Sequence, residues 1–327
     1  MNIVVTGSFA FDYIMQFPGR FTDHILPDQV GKISLSFLVD EMKKVRGGCA
    51  PNIAYSLALL DERPLLMATA GQDAVEYRDW LAAHGVDTSL LRIYDDVFTA
   101  SFFVNTDRDQ NQIASFYTGA MARARELSFY DLEQEVTVSI ISPNDPVAMD
   151  KYARECRELG IPYIYDPSQQ VARVAGEELT EGLTGAHILI LNEYEYSILQ
   201  KKTGLNQNQL LERVQTIIVT RGEEGSTILN HGDRRGDVQR EDVPAAKPRA
   251  IYDPTGVGDA YRAGLIKGLV HGYPWQVTGR LASLAAVYVL EHPGPQPRPY
   301  TRQELVQRYR ENFGDTPELE HLLANNV

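Results

Sequence analysis

Residues 252–269 read YDPTGVGDAYRAGLIKGL. Gly256 and Gly258 frame a turn almost free of side chains, Asp259 closes it, and an apolar helical run follows at once. Glycines permit backbone conformations and close approaches that side chains block. With a helix over Ala260–Gly272, anchored by Leu265, Ile266, Leu269 and Val270, the free amides around Gly256–Asp259 form a positive concavity suited to an anion. A carboxylate at that spot is a poor choice for holding an anion at rest. It suits phosphoryl transfer, in which amides stabilise the moving group and the carboxylate takes the proton of an attacking hydroxyl. The bland alternative is an aspartate that only caps the helix.

Outward from this turn, short β-branched runs alternate with helical patterns. Strands are expected at Ile3–Thr6, Val136–Ser142, Ile161–Asp166, His187–Asn192 and Thr216–Thr220. Between them lie amphipathic runs such as Pro146–Leu159, with Val147, Tyr152, Cys156 and Leu159 near one face. Near-continuous apolar strands alternating with helices indicate an α/β fold: a doubly wound, mainly parallel sheet with helices on both faces. Ile33–Val45 and Val97–Tyr117 break the rhythm with aromatic-rich, alternating patterns, and TDRDQNQ at Thr106–Gln112 reads as a hairpin tip. We expect a small antiparallel β lid, inserted at about residues 12–45 and 97–118 into a single domain spanning 1–327. After His292 a proline-rich connector, HPGPQPRPY, leads into a helix near Arg302–Asn312.

The formal net charge of −13 disfavours nucleic acid and anionic membranes as partners. Two cysteines make neither a disulfide framework nor a metal cluster, and the N-terminus lacks signal-peptide features, so a cytoplasmic location is the default expectation. In open parallel sheets ligands sit beyond the carboxyl ends of the strands. Asp12, Asp166, Asn192 and the Thr220–Gly222 segment follow or close four strands and are expected to converge on one crevice. Asn192 and Glu195 in NEYE also form a capping box, a structural role compatible with facing a ligand. Thr220–Gly222 reads equally as a strand-to-turn transition into a hairpin at EEGS. RGGCAPNIAYSLALL, Arg46–Leu60, is a second glycine site. There a helix starts near Pro51 and Asn52, buries Ile53, Leu57 and Leu60, and offers Asn52 either as a cap or to a hydroxyl pair. No P-loop is present, and Gly256–Val257–Gly258 lacks the third glycine of a dinucleotide fingerprint.

DPTGVGDAYRAG resembles the C-terminal signature of the ribokinase (PfkB) family, usually D-T-x-G-x-G-D-x-F-x-x-G. RGGCAPNIA resembles its N-terminal signature, NEYE its N-x-x-E, and VTRGEEGS its V-T-x-G-x-x-G segment, in the same order along the whole chain. Pro254 in place of threonine, and Arg262 after the aromatic Tyr261, look most like the prokaryotic nucleoside (adenosine-type) kinases. The resemblance implies an ATP- and Mg²⁺-dependent kinase acting on a primary alcohol, the 5′-hydroxyl of a nucleoside. Asp259 would be the base, and Gly256, Val257 and Gly258 the anion hole. Asp12, Gly48 and Asn52 would hold sugar hydroxyls. Asn192, Thr220 and Gly222 would line the ATP side, and Glu195 would organise Mg²⁺ through water. The lid would close over the substrate and could pair two copies as a homodimer. Its aromatics Phe102, Phe103, Phe116 and Tyr117 favour a flat base, with Phe102 and Phe116 taken as substrate contacts. A ribokinase- or fructokinase-type sugar kinase, or a catalytically silent nucleoside or sugar sensor, remains the alternative.

Overall fold

The computed structural model describes residues 1–25, 34–231 and 237–324. Fourteen strands are present among them. In chain order they are β1 (Ile3–Thr6), β2 (Ala10–Gln16), β3 (Glu41–Gly47), β4 (Leu65–Met67), β5 (Thr69–Gly71), β6 (Arg92–Tyr94) and β7 (Ala100–Thr106). Then follow β8 (Gln112–Tyr117), β9 (Val138–Ile141), β10 (Tyr163–Tyr165), β11 (Ile188–Asn192), β12 (Thr216–Thr220), β13 (Ser226–His231) and β14 (Val238–Val243). The α-helices are α1 (Cys49–Leu59), α2 (Val75–Ala83), α3 (Pro146–Leu159), α4 (Gly176–Leu183) and α5 (Glu193–Thr203). They continue as α6 (Gln207–Leu211), α7 (Val257–Val270), α8 (Trp275–Leu290), α9 (Arg302–Phe313) and α10 (Glu318–Leu323).

The main sheet runs β14-β13-β12-β11-β10-β9-β1-β4, parallel from β4 to β12. The edge departs from the parallel pattern, since β12, β13 and β14 pair antiparallel. The turn at Gly222–Glu224 is too short for a helical crossover, so it forces a hairpin. Alternate side chains along each parallel strand enter opposite layers. Ile3 and Val5 pack with α1, α2 and α7 to α10, whereas Val4 packs with α3 to α6. This is why the strands read as unbroken apolar runs. Helix α3 has the expected bounds, but only part of the expected face. Tyr152 and Cys156 are fully buried, whereas Val147 and Leu159, in the first and last turns beyond the sheet, are exposed. Helix α7 starts at Val257, three residues earlier than expected, because Gly256 itself is the N-cap.

The lid is a four-stranded sheet in the order β3-β2-β7-β8. Its flanking pairs, β2–β3 and β7–β8, are antiparallel as expected, and residues 106–112 join β7 to β8 as a hairpin. The central pair, β2–β7, is parallel, because both strands leave the main domain in the same direction. Of the Ile33–Val45 pattern, the strand starts only at Glu41, and Ile33 lies outside the described residues. The register sets Val45, Asp12, Phe102 and Phe116 side by side in one transverse row. Alternation then turns Phe103 and Tyr117 to the opposite, outward face, where Phe103 stacks on Tyr13 at 4.7 Å. No helix among the described residues is long and apolar enough to cross a membrane.

Candidate active site

The lid row faces a cleft of about 780 Å³ whose floor is the start of α7. Asp12, Gly48, Asn52, Phe102, Phe116, Gly256 and Asp259 all line it, so sequence reasoning had named seven of its wall residues. Asp12 follows β1 as expected, but it sits inside the lid strand β2, because the chain after Thr6 climbs directly into the lid. Gly256 adopts φ +79, and a Cβ there would lie 2.5 Å from Cβ of Pro295, so the turn depends on glycine twice over. Pro295 belongs to the proline-rich connector, whose Gly294 donates its amide to Asp253 at 3.2 Å. The connector therefore packs against the turn as a buttress.

Asp259 lies in the first turn of α7, near the dipole's positive end. Its Oδ2 accepts from Nδ2 of Asn52, at 2.9 Å, on the first turns of α1. Asn52 is in turn oriented by Gln296, whose Nε2 donates to its Oδ1 at 3.2 Å. Burial raises the Asp259 carboxyl to about 7, against the opposing pull of Arg262 and the Asn52 hydrogen bond. A carboxylate poised near neutrality is matched to taking a proton from an alcohol. Burial also raises Asp12 to about 6 and pushes the Cys49 thiol up, so that thiol is no nucleophile.

A second group gathers at the carboxyl ends of β9 to β12. Asp166 follows β10 and accepts from Ser142 Oγ at 3.0 Å and from Arg262 Nη2 at 2.6 Å. Asn192 and Glu195 form the expected capping box on α5: the Glu195 amide donates to Asn192 Oδ1 at 2.8 Å, and the Asn192 amide donates to Glu195 Oε2 at 2.9 Å. Glu195 is buried and its Oε1 accepts from Ser168 Oγ at 3.3 Å. Thr220 pairs with Asn192 across β11–β12, and Gly222 takes φ +56 with open space where a Cβ would be. Asn192, Glu195, Thr220 and Gly222 do not line the lid cleft. They form a separate shelf, linked to the floor by the charge of Arg262, which Asp166, Asp259 and Glu195 all stabilise. The expected convergence of strand ends on one crevice is thus divided between two adjoining surfaces.

Sequence reasoning missed Gln296, the Tyr77 hydroxyl that accepts from its Nε2, and the Asp253–Gly294 clasp. The only signal for them was the proline- and glycine-rich HPGPQP, which looks like any connector. Arg221, in the turn after β12, donates from Nη2 to Asp242 Oδ1 on β14 at 3.1 Å.

Proteins similar to this chain in sequence and fold include nucleoside kinases. The nucleoside kinase of Burkholderia thailandensis, solved with inosine, is 37% identical with a TM-score of 0.83, covering 97% of this chain and 99% of that one. The Methanocaldococcus jannaschii nucleoside kinase, an archaeal member of the ribokinase family, is 27% identical with a TM-score of 0.83, covering 95% and 98%. The nucleoside kinase of Methanothermobacter thermautotrophicus is 29% identical over 320 residues, 97% of this chain and 98% of the relative. A family profile matches residues 5–301. A helix-start carboxylate, an asparagine partner and an overhanging lid therefore come with a full-length sequence match, and the chain belongs to the pfkB family of carbohydrate kinases.

Proposed function

We propose that the protein is an ATP-dependent nucleoside kinase, transferring the γ-phosphoryl group of ATP to the 5′-hydroxyl of a nucleoside. The observation that carries this reading is the single row of the lid that sets Asp12 beside Phe102 and Phe116 above Asp259. A ribose hydroxyl pair finds Asp12 and Asn52, while a flat base finds the two rings. The inosine complex of the Burkholderia thailandensis enzyme and its complex with ADP-inosine, from a chain 39% identical, support the same assignment.

In the transfer, Asp259 accepts the 5′-hydroxyl proton as the O5′–P bond forms. The bond from phosphorus to the β–γ bridging oxygen breaks, and its electron pair leaves with ADP. The amides of Gly256, Val257 and Gly258 face the charge that develops on the moving group. ATP lies along the shelf of Asn192, Thr220 and Gly222. The shelf's donor set suits Mg²⁺, which keeps several waters and needs one or two carboxylates beside substrate phosphates. Glu195 keeps Oε1 only weakly engaged by Ser168 and would hold the ion through water. Bound there, the ion would neutralise phosphate charge. Lid closure over the cleft excludes water that would otherwise compete as acceptor. The reading extends to pairing of two copies through the lid, whose outward face leaves Met42 and Phe103 exposed, and the mass in solution tests it.

The deciding experiment is ADP release from Mg·ATP over purine and pyrimidine nucleosides, ribose and fructose, with Asp259→Asn as control. Turnover confined to nucleosides is expected. Turnover on free sugars alone would make this a sugar kinase, and ligand binding without ADP release would make it a sensor.

A further inference from the structure

We propose that Arg262 is a further catalytic residue, whose Nη1 edge donates hydrogen bonds to the oxygens of the transferring phosphoryl group. This rests on the phosphoryl-transfer reading above. Arg262 stands one turn after Gly258 on α7, and long helical side chains lean toward the helix N-terminus. Its guanidinium accordingly returns to the anion hole. A Cβ on Gly258 would lie 2.7 Å from Nη1 and 3.8 Å from Cζ of Arg262, and among the described residues it would meet no other atom within 4 Å beyond its chain neighbours and its own helix backbone. The missing side chain at 258 is thus the space through which the guanidinium edge meets the mouth of the helix.

The guanidinium is held, yet not used up. Nη2 donates to Asp166, which is 1% exposed and itself receives Ser142 Oγ, so two strand ends fix the arginine's plane. Nη1 donates to no protein acceptor among the described residues and, unlike the sealed Nε, is not closed off from solvent, although Arg262 as a whole is only 8% exposed. A charged donor edge left open in this way can take the oxygens of a bound phosphoryl group. Charge argues the same way. Asp259, Asp166 and Glu195 would together repel an incoming phosphate, and Arg262 is the cation set among all three. Among the described residues Lys43 is the only lysine or arginine lining the cleft, and it is exposed on the lid. An ion pair that served only to staple α7 to β10 would not need its free edge at the anion hole.

The test compares wild type with Arg262→Lys, Arg262→Gln and the charge-balanced pair Arg262→Gln/Asp166→Asn. Binding of Mg·ADP is measured by calorimetry with and without aluminium fluoride, a mimic of the moving phosphoryl group, and with no acceptor present. Wild type should bind ADP more tightly with fluoride. The variants should bind ADP alone as wild type does, lose most of the fluoride gain, and lower kcat by about 100-fold with acceptor KM unchanged. The double variant keeps the measurement open should the single glutamine variant fail to fold. Undiminished fluoride tightening in folded variants, no tightening in wild type, or a kcat within about threefold of wild type would each overturn the assignment. Because the binding arm contains no acceptor, it reads the arginine even if the nucleoside reading fails in the turnover panel.

Discussion

Replacing Asp259 by asparagine should make the protein more stable while disabling it, and the gain should grow with pH. The carboxyl ordinarily ionises near 3.8 and burial lifts it to about 7 in the folded chain. Between those values the folded state binds a proton that the unfolded state has released. Wild-type stability therefore falls as pH rises through that window and levels off above about 7. A shift of about three units corresponds to about 4 kcal/mol at the plateau. Asp259 is partly open to the cleft, so solvent reduces this, and we expect about 2–4 kcal/mol. Asparagine mimics the protonated acid and can still accept from Asn52 Nδ2. Urea unfolding of both proteins at pH 5.5 and pH 8.5 measures the gain, which should be roughly twice as large at the higher value. The groups around Asp259 that enter its balance are Arg262, Asp166, Cys49, Tyr77 and Asn52. A gain independent of pH, or a loss, would show that Asp259 is not a strained carboxylate. In the same variant kcat should fall by about two to four orders of magnitude with nucleoside KM nearly unchanged. Near-normal turnover would remove the residue from the base role.

The wild-type kcat should fall tenfold per pH unit below about 7, because the base is then protonated; a flat profile from pH 5 to 8 would contradict the raised carboxyl. Asn52→Ala removes a hydrogen bond that favours the charged form, so the acid limb of the profile should move to higher pH, as read from initial rates. Phe102→Ala with Phe116→Ala should raise nucleoside KM by about 10- to 100-fold while leaving ATP KM alone, whereas Phe103→Ala should change neither. Gly256→Ala should cost at least about 2 kcal/mol in urea unfolding, from left-handed strain together with the clash at Pro295.

What could be read from sequence was what is local in the chain. The bounds of β1, β12 and α3, the capping box at Asn192 and the presence of a helix beginning beside Asp259, though not its first residue, each follow from a few adjacent residues. The parallel partner of β2 could not be read, since β7 begins 90 residues later and a period-2 pattern carries no direction. The burial of α3 was legible in its middle turns but not at its ends, where the edge of the sheet decides exposure. Gln296 reaches Asn52 across 244 residues, and Arg262 reaches Asp166 across 96. Contacts of that span leave no periodicity in either partner. The motif at Asp259 announced the chemistry, while the residues that tune it are scattered over the chain.

The transverse row of the lid has a mechanical consequence. Val45, Asp12, Phe102 and Phe116 sit on four strands tied by one backbone ladder, so they descend together as a rung. A ligand that engages only the Asp12 end leaves the aromatic end hanging over empty space, and the whole rung is then poorly seated. On the assignment proposed above, selection between a nucleoside and a bare pentose would be made by leverage as well as by contact, because one bar would have to rest on sugar and base at once.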